Sequence, residues 1–178
     1  MDEAFFTMAR EHITAFRKRW QDSTMNLLGP KLEIGPEHDA PWPGAETLGL
    51  NEGYTYQADI TQRTGLPTGH YAAVIAMDVL EHVVDPFAAV QEIERILKPR
   101  VGLLLASAPW NFRIHGPIPD LWRFNQNSWK LLLRNFHIVE MDVLDTPDRP
   151  LMPLHINIAA MMSTYRRVDE VNFERIER

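Results

Sequence analysis

Residues 71–99 read YAAVIAMDVLEHVVDPFAAVQEIERILKP, and two kinds of pattern meet in them. Tyr71 to Met77 is an apolar run of strand length that stops at Asp78, turns through LEHVVDP and enters an amphipathic helix. The helix has a chemical start as well as a period. Asp85 suits the N-cap, Pro86 suits the first helical position, and Phe87, Val90, Ile93, Ile96 and Leu97 recur at three- and four-residue spacing on one face. Pro99 stops it. The next run, Val101 to Ala108, is continuously apolar, as expected of a strand covered on both faces of a parallel sheet. A β-α-β unit therefore occupies the middle of the chain. It leaves polar groups at the carboxyl end of its first strand, where open α/β sheets bind ligands.

A second phrase, HGPIPDLWRF at residues 115–124, follows the second of these strands. With Asp78, Leu80 to Val83, Asp85, Pro86 and the Leu97 to Pro99 helix end, its residues His115, Gly116, Pro119, Asp120 and Trp122 to Phe124 make the chain resemble one family. The family is the class I S-adenosylmethionine-dependent methyltransferases, and within it the small members with LEHV-DP and HG-x-P-x-D-x-WRF phrases. The resemblance covers Lys31 to Val143. It implies a Rossmann-like α/β fold: a mostly parallel sheet with helices on both faces and a last strand inserted antiparallel between its neighbours. It also implies S-adenosylmethionine as cofactor.

The same resemblance distributes site residues along the strand ends. In Glu33-Ile34-Gly35-Pro36 it places the cofactor's amino acid end beside the Gly35 turn, with Glu33 and Pro36 flanking. Glycine is needed there because a side chain would block close approach of the backbone. Glu52 would accept from the ribose hydroxyls, a carboxylate offering two acceptors to a vicinal diol, with Asn51 as a weaker substitute; a solvated turn residue is the competing reading. Asp59, beside Ile60, would accept from the adenine amino group, against a plain turn aspartate. Met77 and Asp78 pass the amino acid end, and Leu80 and His82 form the adjacent wall.

One departure from the family pattern stands out. The turn carries a single glycine, and three prolines, Pro36, Pro41 and Pro43, interrupt the segment before the next strand. The first crossover helix is therefore expected to be reduced or missing. This favours the alternative of a non-catalytic relative that keeps the fold as a binding or assembly module. A dinucleotide enzyme of another class is disfavoured by the lack of G-x-G-x-x-G.

The segment 108–124 leaves the strand next to the cofactor strand and mixes Trp110, Phe112, Arg113, His115 and Asp120 with three prolines. Aromatic walls with a few fixed polar groups build small-molecule pockets, so Trp110, Phe112, Arg113 and Asp120 are the substrate-side candidates. Methyl transfer to oxygen often needs a base for the proton that is shed, and an imidazole can serve near neutrality. His115 is the catalytic candidate, its competitor being a loop-shaping residue bonded to Asp120 or backbone. Asp120 and Arg123 are expected to pair, and Trp122 to join the core. Glu81 and His82 alone lack the partner spacing of a metal site, so no metal is expected.

The ends are less informative. Glu3 to Trp20 has the spacing of a helix, with Phe5, Met8, Ala9, His12, Ile13, Phe16 and Trp20 near one side and Arg17-Lys18-Arg19 toward its negative end. Strands are expected at 31–35, 46–50, 54–58, 136–144 and 154–162, and a helix at 125–135. The 178 residues, 45% of them hydrophobic, are read as one domain: an N-terminal helical segment 1–28, an α/β core 31–163, and a charged tail 164–178, a short helix or disordered. Eighteen Lys and Arg against 24 Asp and Glu give a net charge of -6, which disfavours nucleic acid as partner because no broad basic surface can replace phosphate counterions. A small-molecule substrate is expected instead, with a homo-oligomer left open. No cysteine is present, which excludes disulfides and thiolate ligands. Without a membrane-length run or a signal-like start, no membrane contact and a cytoplasmic location are the expectations.

Overall fold

The computed structural model describes residues 3–36, 41–115 and 119–163. The expected tail 164–178, Glu37 to Asp39 of the glycine turn, and Gly116 of the second phrase lie outside them. Ten elements follow in order: α1 (Glu3–Thr24), β1 (Lys31–Ile34), β2 (Glu46–Gly49), β3 (Tyr56–Gln57), β4 (Ala73–Met77), α2 (Pro86–Ile96), β5 (Leu103–Pro109), α3 (Gln126–Leu132), β6 (Phe136–Thr146) and β7 (Arg149–Met162). The strands form one sheet in the order β3-β2-β1-β4-β5-β7-β6. All pairings from β3 through β5 are parallel, and β7 lies antiparallel between β5 and β6. This is the expected Rossmann-like arrangement with its inserted last strand.

Strand alternation sorts the core into two layers. Val74, Ala76, Leu104, Ala106, Ile156 and Ile158 point to the face covered by α2 and α3. Ala73, Ile75, Leu103, Leu105 and Ala159 point to the other, where Phe16 of α1 and Trp42 complete the layer. Trp42 is the reason the second face closes. Between the parallel neighbours β1 and β2 the described residues of the link hold no helix, as the prolines predict. Instead the link inserts Trp42, 2% exposed, into the core. Arg17 stacks over its ring at 5.3 Å.

Several local expectations change. Asp85 does cap α2, accepting from the Phe87 and Ala88 amides, but Phe87 lies off the buried stripe and is 39% exposed. The Arg17-Lys18-Arg19 cluster is not in the last turn of α1, because the helix runs on to Thr24. Arg17 pairs with Glu33 at 2.8 Å, and Arg19 with Glu140 and Asp142 at 2.6 and 2.9 Å, so these charges bind the helix to the sheet. Pairing also moves strand ends. The β6–β7 ladder extends to Thr146↔Arg149, converting the Pro-rich segment 146–150 from a loop into a hairpin whose turn holds Asp148 at φ 59°. Among the described residues no helix is long and apolar enough to cross a membrane.

Among the described residues the β1–β2 and β3–β4 links hold no helix and need other anchors, and Glu92 supplies one. Its carboxylate accepts from the Thr64 amide and hydroxyl at 2.8 and 2.6 Å and from Arg95 at 2.6 and 2.7 Å, tying the β3–β4 link to α2. Burial opposes its charge, but the Arg95 and Thr64 hydrogen bonds win and lower the carboxyl from 4.5 to about 2. A carboxylate depressed in the folded state stabilises above its unfolded value and loses that contribution as pH falls toward the folded one. Glu92→Ala is therefore expected to destabilise by about 2 kcal/mol near neutrality, a fall in Tm of roughly 4–8 °C. The difference from wild type should shrink as pH drops from about 4.5 toward 2. Thermal melts at neutral and acid pH check both statements.

Candidate functional site

The carboxyl ends of β3, β2, β1 and β4 stand side by side in that order, spanning about 14 Å at ordinary strand spacing. Along this edge lie Asp59, Glu52, Gly35 and Met77-Asp78. The row therefore has the length of an extended nucleoside joined to an amino acid. Gly35 has φ 57°, a left-handed backbone that favours glycine. A Cβ there would meet only the Val79 Cγ2 atom at 3.4 Å, so it would point into the gap between this turn and the one after β4. Pro36 next to it is half-buried, and Glu52 and Asp59 are exposed. One Asp59 oxygen accepts from the Thr61 amide and hydroxyl at 2.8 and 2.7 Å, which closes the turn. Ile60 and Leu80 are 4% and 1% exposed and support this edge from the core.

Glu33 is placed differently from its neighbours in the row. Only 1% exposed, it accepts from Arg17 and from the Trp42 amide. Its carboxylate thus fixes α1 and the β1–β2 link beneath the glycine turn. The turn's residues fit S-adenosylmethionine in donor and acceptor chemistry: a glycine cradle, two exposed carboxylates beyond it, and half-buried Met77 at the end of β4.

At the end of β4 the chain bends sharply, with Asp78 at φ 52°. Its amide donates to the Ser107 carbonyl and hydroxyl at 3.2 and 3.0 Å. Its carboxylate accepts from the Ser107 hydroxyl at 2.6 Å and from His155 Nε2 at 2.9 Å. Burial works against the Asp78 charge, yet His155 and Ser107 hold its carboxyl below the usual range. Ser107 and His155 escaped the sequence reading. Their signal was slight: a lone serine in an apolar run, and His155 and Asn157 alternating with isoleucines in a strand. On the same side His12 of α1 bonds Asp142 at 3.1 Å and accepts from Asn157 at 3.0 Å. A polar layer therefore joins the N-terminal helix to the strand ends.

The turn after Asp78 meets the 110–123 segment. The Leu121 and Trp122 amides donate to the Glu81 carbonyl at 2.8 and 3.1 Å, and His82 Nδ1 donates to the Pro119 carbonyl at 2.7 Å. Trp122, expected in the core, is 39% exposed; its indole donates to the Val83 carbonyl at 2.8 Å, which pins one loop to the other. Asp120 accepts from the His115 amide at 3.0 Å and from His115 Nδ1 at 2.9 Å. Arg123 grips the same carboxylate through both terminal nitrogens and reaches the Phe112 and Arg113 carbonyls at 3.4 and 3.3 Å. The Arg123 hydrogen bonds keep Asp120 ionised far into acid. Phe112 lies edge-on to His115, centroids 5.5 Å apart, and Phe6 of α1 packs on Phe112 at 6.1 Å. Trp110 is half-buried, its amide bonded to the Leu154 carbonyl at 3.0 Å, while Arg113 is exposed. So His115, Phe112 and Asp120 come together beside the cofactor strand, and Arg113 stands apart on the outside.

Residues 44–105 match the family described as "Methyltransferase domain". No curated protein matches the sequence. In structure, the chain is similar to a S-adenosylmethionine-dependent methyltransferase from Archaeoglobus fulgidus, with a TM-score of 0.62 and 15% identity over 90% of this chain and 100% of that one. It is similar to the CurJ carbon methyltransferase at TM-score 0.62 and 16% identity over 85% of its own length, spanning 54% of that chain. A third likeness, at TM-score 0.58 and 14% identity over 90% of this chain and 94% of the other, is to a chain in a complex of the Haloferax volcanii Trm112 methyltransferase activator with a methyltransferase. Likenesses at these identities speak for the fold.

Proposed function

We propose that this chain, a class I S-adenosylmethionine-dependent methyltransferase by its family segment and its fold, acts on a small molecule, methylating it at oxygen. One juxtaposition carries the reading: the turn at the end of the cofactor strand is clasped to the loop that holds His115, with the His82 and His115 rings 5.1 Å apart. When bound, the cofactor supplies an electrophilic methyl group on a sulfonium. Gly35, Glu52, Asp59 and Met77 are the residues that would hold it along the strand ends. Asp120 takes the Nδ1 proton of His115 in a hydrogen bond, which leaves the Nε2 lone pair to accept the acceptor's proton. Phe112 and Trp110 supply the aromatic wall, and Asp120 fixes the ring by which the acceptor is met. The net charge of -6 favours a neutral or basic small substrate over nucleic acid. A cytoplasmic location belongs to the same reading.

A second reading, a methyltransferase-like binding or assembly module, is favoured by the single-glycine turn and by a link after β1 whose described residues hold no helix. The likeness to a chain from a complex with an activator points the same way. Binding separates the two. S-adenosylhomocysteine is expected to bind in calorimetry and to raise Tm by mass action. Asp59→Ala should weaken binding, since the adenine amino group loses its acceptor. No binding at millimolar ligand would give the assignment to the module reading. Label transferred from methyl-labelled S-adenosylmethionine to hydroxylated small molecules, located on oxygen by mass spectrometry, tests the acceptor; label on nitrogen or carbon would overturn that part.

A further inference from the structure

The geometry points to a divalent-cation site of the zinc class, built from Glu81, His82 and His115. It goes beyond the methyl-transfer assignment: a metal on His115 Nε2 takes the lone pair that the proposed base uses, so the site belongs to a metal-loaded form in which His115 is a ligand and not the base. One ligand atom from each of these residues lies within 4.8 Å of the others. Glu81 is 0% exposed, and neither carboxylate oxygen has a hydrogen-bond partner. A buried carboxylate with no partner is costly, and the groups around it are the reason to expect one.

Those groups are two imidazoles already set as ligands. His82 Nδ1 donates to the Pro119 carbonyl at 2.7 Å, so its Nε2 carries a lone pair, and that atom is 3.8 Å from Glu81 Oε1. His115 Nδ1 donates to Asp120 Oδ2 at 2.9 Å, so its free lone pair is also on Nε2. Asp120 is itself held by Arg123. A histidine that donates its other ring proton to a carboxylate or a carbonyl is the usual support of a metal-binding imidazole, since it sets the tautomer and the ring direction. Two neutral imidazoles and one carboxylate suit zinc and its neighbours, whereas magnesium and calcium want oxygen donors throughout. Ligand atoms on a tetrahedral zinc lie about 3.3 Å apart, so atoms within 4.8 Å of one another must draw together by up to about 1.5 Å. Three protein ligands leave one position open for water.

The sequence hid this site because only Glu81 and His82 are neighbours in the chain. His115 arrives through the 110–123 loop, 33 residues beyond His82.

Titration of the metal-stripped full chain with zinc chloride in a calorimeter is expected to show one ion per chain and a raised Tm. His82→Ala with His115→Ala should remove that binding, and Asp120→Asn should weaken it about 10- to 100-fold while all three ligands remain. Excess magnesium chloride should not displace the zinc. Glu81→Gln keeps the shape of the buried side chain and guards against a result due to misfolding; it too should bind zinc more weakly. Absence of stoichiometric binding by the wild-type chain would overturn the site, as would equal binding by the double variant, which would place the ion on other surface groups. Either result leaves S-adenosylhomocysteine binding and the methyl-transfer assignment intact, because those are read without zinc.

Discussion

His115→Ala is expected to lower turnover by about 10²- to 10⁴-fold with S-adenosylhomocysteine affinity nearly unchanged. The side chain sits on the 110–123 loop, against Phe112 and His82, and not in the row of strand ends where we propose that the adenosyl group lies. The fold should survive the change. Asp120 keeps both Arg123 contacts and the amide of residue 115, and Trp122 keeps its bond to the Val83 carbonyl. Single-turnover rates and a thermal melt on the same sample decide between roles. A loop-shaping histidine would lower Tm and reduce activity only in proportion to the unfolded fraction. Full turnover in a stable variant would remove the base and leave proximity as the catalytic device, which suffices for many methyl transfers.

Gly35→Val should abolish cofactor binding. A Cβ at this position points toward Val79 at 3.4 Å, between the turn after β1 and the turn after β4, where we propose that the cofactor's amino acid end lies. The contact itself is ordinary, so space inside the protein is not the obstacle. Backbone strain is: φ is 57°, and a β-branched residue there costs about 1–3 kcal/mol. Gly35→Ala meets the same φ but costs less there than a β-branched side chain, and its Cβ still enters the gap. Calorimetry is expected to show binding lost in the valine variant and weakened in the alanine one, both folded by circular dichroism. Unchanged affinity in either folded variant would take this turn out of the site.

The β-α-β unit was legible because residues 71–99 carry their own periods, cap and stop, and α2 forms where Asp85 and Pro86 start it. That the described residues of the link after β1 hold no helix was equally legible, since proline lacks the amide a helix needs. Other features were legible only in part. The 146–150 segment reads as a loop by composition, yet ladder pairing with β6 draws Arg149 into a strand. Trp122 reads as core by type, but its indole hydrogen bond holds it at the surface between two loops.

At the site, the amino-acid sequence by itself determined which strand ends carry glycine and carboxylates, and that the 110–123 segment would hold aromatic and titratable groups. Those facts follow from chain-local rules of backbone geometry and side-chain chemistry. Tertiary structure alone decided which groups meet. Strand insertion sets His155 of β7 against Asp78 just beyond β4, 77 residues away, and loop clasping brings His115 to Glu81 and His82. It also turned Glu33 inward to Arg17 and Trp42. The physical reason is the same in each case: partners are selected by distance in space, and the strand order that fixes those distances depends on how all seven strands pack at once.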